Sequence, residues 1–68
     1  MPITIYKLID TEWVIECRPN PKDIIIWNNG RVVMIIQGEW SNERLEKCKR
    51  WLKDNVPEYS EEKMVRIQ

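Results

Sequence analysis

Asp23-Ile24-Ile25-Ile26-Trp27-Asn28-Asn29-Gly30-Arg31-Val32-Val33-Met34-Ile35-Ile36 reads as a β-hairpin that is apolar on both of its faces. Its centre, Asn29-Gly30, tolerates the positive φ angles of a type I′ turn, the tightest connection that matches the twist of paired strands. A two-residue loop pairs Asn28 with Arg31, so Ile24, Ile26, Val33 and Ile35 share one face and Ile25, Trp27, Val32, Met34 and Ile36 share the other. A three-residue loop of Asn28, Asn29 and Gly30 moves the partners by one place and still leaves both faces apolar. Both faces of such a ribbon have to be covered, and the rest of the chain offers one well-marked amphipathic helix. The face of Ile25, Trp27, Val32, Met34 and Ile36 is therefore the expected surface for another molecule, a second copy or a different protein.

Towards the N-terminus, residues 3–9 and 12–17 form an earlier hairpin around Asp10-Thr11. Pairing Ile9 with Glu12 puts Tyr6, Leu8, Trp13, Ile15 and Cys17 on one side, with Ile5, Lys7, Glu12, Val14 and Glu16 on the other. This alternation is that of an antiparallel ribbon with one inner and one solvated face. Pro19 and Pro21 then end the strand, because proline donates nothing to a ladder and restricts the residue before it. The predicted strands thus span about 3–9, 12–17, 24–28 and 31–36.

A helix is predicted over about 42–55. Ser41 stands where a hydroxyl caps the first turn, and Trp40 with Leu45 has the spacing of a hydrophobic staple. Leu45, Cys48, Trp51, Leu52 and Val56 recur every three or four residues, one apolar stripe for one sheet face. Glu43 with Lys47 and Glu46 with Arg50 are ordered acid before base at i,i+4, and Asn55 with Pro57 stops the helix. The tail from Glu58 ends in Lys63-Met64-Val65-Arg66-Ile67, read as a short edge strand. The expected fold is one α+β domain over 1–68: a small antiparallel sheet of two hairpins, one C-terminal helix packed on it and a short final strand.

Composition narrows the function by exclusion. At 68 residues the chain is one domain, of a size that buries only about 60% of the surface its unfolded chain exposes. With 43% hydrophobic and 32% charged residues it has the balance of a folded globular domain. Eleven Lys and Arg against eleven Asp and Glu leave no net field to draw in nucleic acid or anionic lipid. There is no histidine, and Cys17 and Cys48 stand alone without the spacing of a zinc set, so no metal or cofactor is expected and both thiols read as small core hydrophobes. No 18-residue apolar run offers a membrane helix and the N-terminus lacks the pattern of a signal peptide, so a cytoplasmic location is expected.

Catalysis is not expected. Removal of Met1 would leave Pro2 as a terminal secondary amine, the catalytic group of the small tautomerases, but those continue from the first strand into a long helix whereas this chain continues into Trp13-Val14-Ile15-Glu16-Cys17 and a proline loop. Glu16, Asp23 and Glu39 are scattered along strands and loops, where carboxylates are usually solvated. Of the four tryptophans, Trp13 and Trp51 fall on core stripes, Trp40 on the staple, and Trp27 beside a turn where a small core rarely reaches. The leading expectation is a non-enzymatic binding module, a homodimer or a protein-partner adaptor or antagonist. The alternative is a nucleic-acid-binding domain using the second hairpin or the helix cations Arg44, Lys47, Lys49, Arg50 and Lys53.

Overall fold

The computed structural model describes residues 3–19, 22–38 and 42–68. Pro2, Glu39, the staple residue Trp40 and the capping residue Ser41 lie outside them. Strands β1 (Thr4–Leu8), β2 (Trp13–Cys17), β3 (Ile24–Asn28) and β4 (Arg31–Ile36) precede helix α1 (Asn42–Asn55), and a 3-10 turn at Glu61–Lys63 leads into strand β5 (Met64–Arg66). The strands make one antiparallel sheet in the order β4-β3-β2-β1-β5. The fold is α+β, as the pattern of the sequence predicts.

Both tight turns form where polar residues tolerate the left-handed region. Asn29 and Gly30 take φ of 54° and 76°, and Asn28 pairs with Arg31 as expected. Asp10 takes φ of 64° in the first turn, where the Thr11 hydroxyl donates to the Leu8 carbonyl at 2.7 Å and accepts from the Trp13 N–H at 3.1 Å. The β1–β2 register, with Lys7 opposite Val14 and Tyr6 opposite Ile15, is the one that an Ile9–Glu12 closing pair requires. Between β2 and β3 the proline loop is closed by the Arg18 N–H on the Asp23 carbonyl at 2.9 Å, and Trp27 comes to lie opposite Val14.

The faces of β4 differ from expectation. The ladder shifts between Ile26 and Trp27: Ile26 faces Met34 while Trp27 faces Val32, so Val33 is an extra residue in a β-bulge. The bulge reverses the alternation beyond it. Met34 and Ile36 turn to the helix side and pack against the core, while Ile35 joins Val32 on the other face. An edge strand accommodates the unpaired residue because, among the described residues, its outer backbone groups meet no further strand.

One face of the sheet carries Leu8, Ile15, Cys17, Ile24 and Ile26, and Leu45, Cys48, Leu52 and Val56 close over it from α1 and the turn after it. Helix length suits sheet width: 14 residues span about 21 Å, and five strands put their outermost axes about 19 Å apart. The chain leaves the sheet at the β4 edge and re-enters at the opposite edge, where β5 pairs with β1 through Tyr6–Arg66, Lys7–Val65 and Leu8–Met64. Trp13 meets Trp51 edge to face with ring centres 6.1 Å apart, joining the rim of the sheet to the helix. The Asn55 side chain donates to the Trp51 carbonyl at 2.8 Å, and the Val56 N–H donates to the Leu52 carbonyl at 2.8 Å, so the helix ends at the residues expected to stop it.

Cys17 and Cys48 are buried in this core and unlinked. Burial, reinforced by the neighbouring Cys17, pushes the Cys48 thiol up to about 12. A water-soluble disulfide reagent should therefore label the folded chain only through global opening, at a rate that rises with urea. Cys48→Ala should lower the unfolding free energy in urea titrations by about 1 to 2 kcal/mol; fast labelling of both thiols in native buffer would contradict this packing.

Candidate interaction face

The face of the sheet opposite α1 is assembled by register alone. One row runs Val32, Trp27, Val14, Lys7 and Val65 across the five strands, and the next runs Ile35, Ile25, Glu16 and Ile5. The Ile67 N–H donates to the Ile5 carbonyl at 2.8 Å, extending the second row past the end of β5. Val32 is 47% exposed and Ile35 49% exposed, whereas Ile25 between them on the next strand is buried. Apolar side chains thus dominate a surface that α1 does not reach.

Of the residues expected to bind a partner, Ile25, Trp27 and Val32 are brought together on this face. Met34 and Ile36 are not, because the bulge at Val33 sends them to the core. Ile5, Val14, Ile35 and Val65 take their place, and they come from four different strands. Trp27 is half-buried, neither a core residue nor a freely projecting one.

The indole of Trp27 is held by Glu16. Its N–H donates to Glu16 Oε1 at 3.0 Å, and the Arg18 Nε–H donates to Glu16 Oε2 at 2.9 Å. Each carboxylate oxygen therefore has a donor, and the side chain is only 14% exposed. The hydrogen bond from Arg18 holds the Glu16 carboxyl below its ordinary value of 4.5, against the opposing effect of burial, and the Trp27 N–H adds to the lowering. A carboxylate in the middle of an apolar face is thus already supplied with partners from its own chain, as it must be if water is ever excluded from that face.

Beside this pair lies a shallow depression of about 270 Å³, lined by Ile5, Glu12, Val14, Glu16, Trp27 and Gly30. Its lining combines an aromatic ring, apolar side chains and two carboxylates. The roles of Glu16, Arg18 and Glu12 were missed in the sequence, where Glu16 reads as a solvated carboxylate. Glu16 and Trp27 have the same parity on their strands, a usable signal once β2 and β3 are known to be neighbours.

The helix cations are differently placed. Lys49 gives its ammonium to Glu61 at 3.1 Å and lies 3.9 Å from Glu46, and the hydrogen bond with Glu61 is the main cause of its raised pKa. Tyr59 donates to the other Glu61 oxygen at 2.6 Å, and its hydroxyl pKa is raised first by burial and then by that carboxylate. Arg50 and Lys53 border the groove of about 450 Å³ in which this network sits, and Lys47 is exposed outside it. Arg44 is half-buried, and a Cβ added to Gly38 would stand 2.6 Å from its guanidinium. The five cations do not converge on one surface. The groove is larger than the depression on the sheet, and Lys49, Tyr59 and Glu61 within it are engaged with one another and tie the tail to α1.

Glu16 also sets a pH dependence. A carboxyl whose pKa is depressed by folding contributes stability that is fully present above its unfolded value and is lost as pH falls through its folded value. Wild type should exceed Glu16→Gln in unfolding free energy by on the order of 1 kcal/mol at pH 7, and the gap should close progressively below about pH 4.5. Urea titrations at a series of pH values check this; a gap that stays constant down to pH 2 would contradict it.

Scans of protein-family models, of curated proteins and of solved structures return no match for this chain.

Proposed function

We propose that this protein is a non-enzymatic binding module that engages another polypeptide through the face of the sheet opposite α1. The observation that carries the reading is Glu16, with both carboxylate oxygens occupied by Arg18 and Trp27 in the middle of that face. An apolar patch with an open Val32 and Ile35 binds protein by excluding water, and a bare central carboxylate would oppose this. Here the opposing group carries its own donors. The surface includes Ile35 but not Met34 or Ile36, which pack against the core.

The nucleic-acid alternative is weakened by the same geometry. Phosphate binding draws on cations that are free to shed counterions, and Lys49 is already committed to Glu61 and Glu46.

A photo-crosslinking side chain installed at Val32, and separately at Lys47 on the outer face of α1, tests the proposal in cells that make the protein. Protein adducts are expected from position 32, with adducts from position 47 at least tenfold fewer. Their yield in extracts should hold or rise with added sulfate, as apolar association does. Adducts to nucleic acid from position 47, or none from position 32, would overturn the reading.

A further inference from the structure

We propose that the molecule covering this face is a second copy of the chain, packed sheet against sheet about a two-fold axis along β2, with Lys7 of each copy entering the depression between Trp27 and Glu12 of the other. The proposal rests on the reading of the face as an interaction surface and supplies its partner. A two-fold contact requires a patch that is complementary to itself. With the axis along β2, the row Val32, Trp27, Val14, Lys7, Val65 is laid over its own reverse. Lys7 then falls over Trp27, and Val65 over Val32, on both sides of the axis.

The charges fit this occupant. Lys7 stands between Val14 and Val65 in register, with Glu12 and Glu16 diagonal to it on β2, and among the described residues no carboxylate lies within ion-pair distance of it. The depression spans β2 from Ile5 on β1 to Trp27 on β3, and has an aromatic ring and the exposed carboxylate of Glu12. An ammonium over an indole with a carboxylate at its rim is a favourable arrangement, stronger as water leaves. Lys7 and Arg18 balance Glu12 and Glu16, so the patch selects neither an acidic nor a basic partner, whereas a second copy brings both the cation and its receptor. The Glu16 carboxylates of the two copies approach at the axis, each arriving with its own Arg18.

Stacking by faces is also favoured over joining by edges. The bulge at Val33 interrupts the regular ladder that a β4-to-β4 pairing would extend. The molecule measures 29 × 22 × 21 Å, so its broadest side provides at most roughly 600 Å² per copy, the low end for specific association. The dimer is therefore weak and concentration-dependent.

Sedimentation equilibrium of the full chain from micromolar to millimolar concentration is the test. Wild type should pass from monomer to dimer, and Lys7→Glu and Glu12→Lys should each raise the dimer dissociation constant at least tenfold while unfolding at wild-type urea midpoints. Mixed in equal amounts, the two variants should associate nearly as tightly as wild type, because each depression then meets a side chain of opposite charge. Should Lys7→Glu fail to fold, Lys7→Gln must still weaken the dimer. A monomeric wild type at millimolar concentration, unchanged association in the variants, or no rescue on mixing would overturn the second-copy proposal. In that event, adducts from position 32 to a different protein leave the face itself standing as an interaction surface, and their absence removes both.

Discussion

Three consecutive isoleucines, Ile24, Ile25 and Ile26, are buried on a strand that has a helix over only one of its sides. Successive residues of a strand point to opposite faces, so β3 demands burial in two directions at once. Toward α1 the demand is met by Leu45, Cys48 and Leu52, which close over Ile24 and Ile26. On the other side Ile25 lies between Glu16 and Ile35 in register, with Trp27 next along its own strand. A carboxylate sits where an apolar lid would be expected, and its satisfaction by Arg18 and Trp27 makes that position tolerable. The arrangement of both faces follows from this strand.

Much of the fold is legible because it is decided locally. Asn29-Gly30 and Asp10 sit where backbone angles need them, the apolar stripe of α1 has helical period, and Asn55 with Pro57 ends it, so turns, first-hairpin register and helix limits follow from neighbouring residues. The bulge at Val33 is not of this kind. Val32-Val33-Met34-Ile35-Ile36 is apolar at every position, so alternation carries no mark of where one residue will be skipped, and an unbroken ladder puts Met34 and Ile36 on the face opposite to the one they occupy. The final strand is a weaker local signal that gains its meaning from the free edge of β1.

The candidate face was legible in part, since Ile25, Trp27 and Val32 belong to it, but its chemistry was not. Glu16 and Trp27 lie on different hairpins, and their contact depends on how the proline loop sets β2 against β3. Lys49 and Glu61 likewise meet only because the tail doubles back along α1. Contacts between elements that are remote in the chain decide which charges are spent inside the molecule and which remain for others.

The pairing of β5 with β1 has a kinetic consequence. Tyr6 and Arg66 stand roughly sixty positions apart, so their strands meet only after a long closure, whereas β3 and β4 close across Asn29 and Gly30 and β1 and β2 across residues 9–12. During folding β1 is an open edge until the tail arrives, and an open edge recruits any strand that reaches it first. The attachment of Glu61 to Lys49 and Tyr59 delivers the tail alongside α1, directly before β5. In the folded chain a modest surface ion pair thus holds the segment just before β5 beside α1, next to the edge that β5 closes.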